Sequence, residues 1–166
     1  MNTFKSTNSK DNAKELLSIA QKGIGYLVSG YKPFEIINGD LEVLLFNTNI
    51  VLNSKCLLNS NRRLDIEDYY FSAIFFILKE KMPNSSDEEK RLFINKRLKF
   101  YAEEFNRIKN DKNYTALPTY SYFYINPLHD NSVESIYSIE LINPIDLLSF
   151  TMALYGMIRW VHEEVN

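Results

Sequence analysis

The chain has 166 residues, 45% hydrophobic and 24% charged, with a formal net charge of −2 at pH 7 and a pI near 5.7. That length predicts one domain burying roughly 70% of its unfolded surface, and the charge balance gives no reason to expect nucleic acid as a partner. Five glycines, about 3% against a usual ~7%, argue against phosphate-cradling loops and turn-dense β architectures, and in favour of helices.

Cys56 is the single cysteine, which excludes an internal disulfide and a cysteine metal cluster and fits a reducing, cytoplasmic setting. Met1 to Lys14 is polar and carries no apolar signal-like run, so secretion is not expected. Abundant Asn, Ile, Lys, Tyr and Phe point to an AT-rich microbial coding sequence.

Residues 1–10 are expected to be flexible, with a single helical domain over 11–166. From Asp11, Ala13, Leu16, Leu17, Ala20, Ile24, Leu27 and Val28 recur at helical steps and predict a helix over 12–29. Gly23, Gly25 and Gly30 do not make a nucleotide loop, because the spacing is wrong and no strand precedes them. Close helix packing or a helix end accounts for them better. A connector containing Pro33 leads to a second helix, over 41–58, whose apolar stripes are interrupted by Asn47, Asn49 and Asn53. These asparagines are read as solvated in preference to a polar lining, since asparagine is a poor interior helix former. Cys56 continues the apolar stripe and reads as a small buried hydrophobe.

The densest apolar run is Tyr69 to Leu78, between the acids Asp65, Glu67 and Asp68 and the cluster Lys79-Glu80-Lys81. Charges of this order suit the two ends of a helix dipole, with Asp65 as N-cap and Pro83 as stop. The run predicts a helix over 66–82 that is wrapped on all sides by others. Ser86 and Glu89 form a capping box opening a helix over 87–109, with a seam of Ile94, Leu98, Tyr101, Phe105 and Ile108. Its basic residues, among them Lys90, Arg91, Lys96, Arg97 and Lys99, read as a solvated face rather than a phosphate stripe.

Tyr120, Tyr122, Phe123, Tyr124 and Ile125 have strand character and predict a small β-hairpin near 120–142, though 133–142 fits a strand or a short helix equally. In a strand, Tyr120, Tyr122 and Tyr124 share one face, opposite Phe123 and Ile125. With that face outward, the three tyrosines form the centre of a partner surface, with His129 and Asp130 on its rim. Asn143-Pro144-Ile145-Asp146 is a helix start, and the helix over 144–163 carries a small-residue stripe of Ser149, Ala153 and Gly156. Its charge-free run is too short to span a bilayer. Arg159 is expected to be paired rather than freely solvated.

The fold expected is mainly α: a single-domain helical bundle of about five helices with a small β-hairpin near 120–142. No Walker loop, nucleophile elbow or metal-ligand spacing occurs, and no cofactor is implied. The preferred reading is a small soluble bacterial protein-binding module, in its most specific form an immunity protein or antitoxin that inhibits a partner toxin. Its partner would be another protein, with no nucleic acid and no membrane, and self-association is compatible with the pattern. The alternative is a small enzyme or ligand-binding bundle with a pocket near Tyr155, Arg159 and His162.

Overall fold

Ten consecutive residues, Glu42 to Val51, are buried in one helix, and the remaining helices pack around it. The computed structural model describes residue 4 and residues 6–31, 40–110 and 144–166. Among these are six helices and no strand: α1 (Ser9–Gly30), α2 (Asp40–Leu52), α3 (Lys55–Leu58), α4 (Arg63–Lys81), α5 (Asp87–Asn110) and α6 (Pro144–Val165). The hairpin expected near 120–142 lies outside the described residues. The protein is mainly helical.

Helix α1 starts at Ser9 because Asn8 caps it, its side-chain oxygen accepting from Lys10 N at 2.8 Å. The preceding residues are tied to it. Ser6 Oγ accepts from Asn8 N at 3.0 Å, and the buried Asn12 donates to the Ser6 carbonyl at 3.1 Å. The polar segment expected to be flexible through residue 10 is thus engaged from Ser6 onward.

The helix expected over 41–58 divides in two. After Leu52, Asn53 N and Ser54 N donate to carbonyls three residues back, at 3.2 and 3.1 Å, and Ser54 is extended. Asn53 also turns its side chain onto the Asn49 carbonyl at 2.8 Å. Local side-chain bonds of this kind compete with the helix ladder and end it here.

Helix α4 corrects the expectation of a wrapped central helix over 66–82. Only Ile66, Tyr70, Ile74 and Leu78 are buried, a single stripe at four-residue spacing, while Phe76 is 64% exposed. Asp65 is not the cap either; Arg62 occupies that position, and Asp65 stands in the first turn. The central helix is α2. Its interior polar residues hid that role, because a sequence carrying Glu42, Asn47, Thr48 and Asn49 does not look like a core.

Helix α1 packs against α6, α4 and α2; α2 also meets α5 and α6, and α4 leans on α5. Small residues set the α1 spacing. A Cβ on Gly23 would sit 2.5 Å from Asn47 Nδ2 and 2.8 Å from Val161 Cγ2. One on Gly30 would lie 3.1 Å from the Ala153 Cβ, and one on Gly156 would lie 3.1 Å from the Tyr26 ring. Ala153 and Gly156 of the expected small-residue stripe therefore face α1, whereas Ser149 is exposed.

The capping box of α5 is formed as expected: Ser86 N donates to Glu89 Oε2 at 2.6 Å and Glu89 N to Ser86 Oγ at 3.2 Å. Along its seam Ile94 and Tyr101 are buried and Leu98 is half-buried; the side chains of Phe105 and Ile108 lie outside the described set. Its basic face is not wholly solvated. Lys90 and Arg97 are buried, Lys90 donating to the Ser85 carbonyl.

Candidate functional site

Glu42, Asn47 and Thr48 each reach out from α2 to a different helix. Glu42 accepts a hydrogen bond from the Tyr101 hydroxyl, and its Oε1 lies 3.0 Å from Arg97 Nε, both partners on α5. Burial raises the Glu42 carboxyl above its ordinary value; the nearby Arg97 charge and the bonds from Tyr101 and Arg97 oppose this without overcoming it. Arg97 also places its guanidinium 5.5 Å over the Phe93 ring. Thr48 donates to the Leu44 carbonyl at 2.8 Å, which leaves the buried Tyr70 hydroxyl to donate to Thr48 across 2.9 Å. Burial pushes the Tyr70 phenol up strongly.

Asn47 joins α2 to α1, its Nδ2 donating to the Ala20 carbonyl at 2.9 Å and lying 3.7 Å from Met157 Sδ. The asparagines expected to be solvated thus divide: Asn47 and Asn49 are buried, and Asn53 alone is exposed. An amide can enter a core when its donors find carbonyls there, and Ala20 supplies one.

Asn49 opens onto a cavity of about 500 Å³ between α2, α5 and α6. Its lining comprises Asn49, Ile50, Asn53, Ala102, Asn106, His162 and Asn166. His162 is therefore part of this cavity's wall. Tyr155 and Arg159 are not: both are exposed and lie outside that lining. Arg159 is paired, its Nε donating to Glu163 Oε1 at 2.8 Å, but the pair is on the surface, with 71% of the Arg159 side chain accessible. The Glu163 bond and charge raise its pKa further.

The other notable surface is the outward side of α6. Leu148, Met152 and Tyr155, at steps of four and three, are 61%, 69% and 49% exposed. Tyr26 of α1 is also exposed beside this helix, its ring against Gly156 and stacked on Trp160 with centroids 5.9 Å apart. Arg159 and Glu163 continue the same side of the helix as a charged rim.

Tyr120, Tyr122, Tyr124, His129 and Asp130 lie outside the described residues. The acids Asp65, Glu67 and Asp68 do not converge on a common point: Glu67 pairs with Arg63 at 2.6 Å. No group of three His, Cys, Asp or Glu side chains suited to a metal occurs among the described residues. Cys56 is half-buried against the core, 3.3 Å from Ser54 Oγ. No described helix is long and apolar enough to cross a membrane.

Sequence reasoning missed the carboxamide cluster and the Glu42–Arg97–Tyr101 group. The signal for the first was three asparagines at positions 47, 49 and 53 in a largely apolar stretch, and for the second an acid at 42 between Leu41 and Val43. Comparison with family models, with curated proteins and with solved structures found no match for this chain.

Proposed function

We propose that the protein works by binding another protein, with the outward side of α6 as its docking face. The observation that supports this reading is the row Leu148, Met152 and Tyr155, apolar and exposed on a helix whose opposite side is fully committed to the core through Phe150, Leu154, Met157 and Val161. Contiguous exposed apolar side chains flanked by a charged pair have the make-up of a contact surface, with an apolar centre and a polar rim. The most specific form of the proposal is an immunity protein or antitoxin that holds a toxin inactive by occupying its surface. The tyrosines at 120, 122 and 124, with His129 and Asp130, belong to the same proposal as sequence-level candidates for that interface.

Affinity capture from the native host, followed by mass spectrometry, tests it. The wild type should retain one dominant protein that Met152→Asp loses, with the melting temperature of the variant nearly unchanged because position 152 is on the surface. Growth arrest on expressing that captured protein alone, relieved by co-expression of this chain, would support the toxin-inhibitor form. Undiminished capture by Met152→Asp would remove α6 from the proposal.

A further inference from the structure

We propose that the groove between α4 and α5 docks an amphipathic helix of a partner protein, one carrying a base and an acid two turns apart with a large apolar residue between them. The groove shares no residue with the α6 face, and the inference does not depend on that face. Its origin lies in how the two helices are committed. Helices α4 and α5 are joined by a short turn after Lys81 and run as an antiparallel pair. Yet α4 packs mainly on α1, and α5 mainly on α2. Between them a groove of about 560 Å³ is left among the described residues.

The floor of the groove is apolar. Phe71 and Phe75 are half-buried there, and Ile94 is 5% exposed. Phe76 and Leu92, 64% and 52% exposed, stand one turn from the bank residues Ser72 and Asn95 and extend the apolar surface toward the rim. All side chains of α4, and those of α5 as far as Glu103, are described, so the charges on both banks can be compared. They are divided by sign. Asp68 is on the α4 bank; Arg91 is on the α5 bank, with Lys99 a turn beyond Asn95. The Arg91 guanidinium lies 5.4 Å over the Phe75 ring. Asp68 and Arg91 do not reach one another across the groove, and neither belongs to an ion pair among the described residues. At the closed end, by contrast, Lys79 already meets Asp87 at 3.5 Å.

The occupant follows from this shape and charge. A groove between two helices, apolar below and charged on its banks, suits a third helix that lays its apolar face into it. The spacing of the charges sets the pattern on that helix. Asp68 precedes Phe75 by two turns of α4, about 10 Å along the groove, and Arg91 is level with Phe75. Two turns of an incoming helix cover the same length. A base and an acid at i and i+7, in either order, therefore meet Asp68 and Arg91, while residue i+3 or i+4 settles on Phe71, Phe75 and Ile94. Exposed ion pairs add little affinity by themselves. Their part here is to fix direction and register, and the apolar contact supplies most of the binding.

A phage-displayed library of helix-constrained peptides of about 15 residues, panned on the full chain, tests the proposal. Enriched peptides should share the pattern of base, apolar residue and acid, and a fluorescein-labelled one should bind saturably in fluorescence polarisation. Asp68→Lys and Arg91→Glu should each weaken that peptide roughly fivefold or more through like-charge contact. Both positions are exposed, so the variants keep the wild-type melting temperature. Changing the peptide's base to glutamate should restore its binding to Asp68→Lys, which a merely structural defect would not allow. Met152→Asp should leave peptide binding unchanged, and so separates this groove from the α6 face. Enrichment without the pattern, binding indifferent to both charge reversals, or binding lost with Met152→Asp would each overturn it. So would a dimer in sedimentation analysis that Arg91→Glu dissociates, because the occupant would then be a second copy of the chain.

Discussion

Arg97 Nε lies 3.0 Å from Glu42 Oε1, and the two side chains keep only 8% and 2% of their surface in water. The pair fixes where α5 sits on α2, with the Tyr101 hydroxyl as a second tie to the same carboxylate. Two buried charges repay their desolvation poorly even when paired, but removing one member leaves the other with its desolvation penalty and without that ion pair.

Glu42→Ala should therefore destabilise the protein by about 3–5 kcal/mol, read from urea denaturation. Replacing both members together, as in Glu42→Leu with Arg97→Met, should recover most of that loss. A double variant as unstable as the single one would show that the hydrogen bonds of Tyr101, and not charge balance, dominate here.

The same carboxyl makes a pH prediction. Its folded pKa is raised above the ordinary value of 4.5, so the folded chain holds the proton more tightly than the unfolded one. The stability gained is fully present below the unfolded value and is lost as pH rises through the higher folded value. Measured as wild type minus Glu42→Gln, the unfolding free energy should be more favourable to wild type at about pH 4 than at about pH 8. The difference cancels the other carboxylates. A slope of the opposite sign would mean that Arg97 outweighs burial.

Gly23 and Gly25, two residues apart in α1, should respond oppositely to alanine. At Gly23 the new methyl meets Asn47 and Val161, and overpacking of that kind costs about 1–3 kcal/mol. At Gly25 nothing lies within 4 Å, so alanine should stabilise by roughly 0.5–1 kcal/mol through helix propensity alone. Thermal melts of the two variants check both signs.

Helix α4 supplies a test of its one-sidedness. Ile74→Ala should cost about 2–5 kcal/mol as a core truncation, and Phe76→Ser should stay within about ±0.5 kcal/mol as a surface change. A large loss at Phe76 would restore the fully wrapped helix that the sequence suggests.

What was legible in the sequence follows from what determines each feature. The capping box at Ser86 and Glu89 depends on residues three apart, so it reads directly. The start of α6 at Pro144 is equally local, and the close approach at Gly23 left its mark as a glycine inside a helix. Centrality is not local. Tyr69 to Leu78 contains more apolar residues than Glu42 to Val51, yet two of its five rings, Tyr69 and Phe76, face water, because burial depends on how many helices surround an element. The polar residues Glu42, Asn47 and Thr48 of α2 gave the wrong impression for the same reason: each becomes acceptable in a core through a partner on another helix, such as Arg97 for Glu42 or Ala20 for Asn47. The cavity drew on Asn49, Asn106 and Asn166, more than fifty residues apart along the chain, and no spacing rule connects them.

Trp160 is the only tryptophan in the chain, and it lies against Tyr26, close to the exposed row on α6. Indole emission depends on how much water surrounds the ring, and Trp160, partly buried against the core, is stacked on a tyrosine that itself faces solvent. A molecule settling on Leu148, Met152 and Tyr155 would add to that cover. The chain therefore carries its own optical probe at the proposed docking face, and contact there should shift tryptophan emission toward the blue without any label being attached.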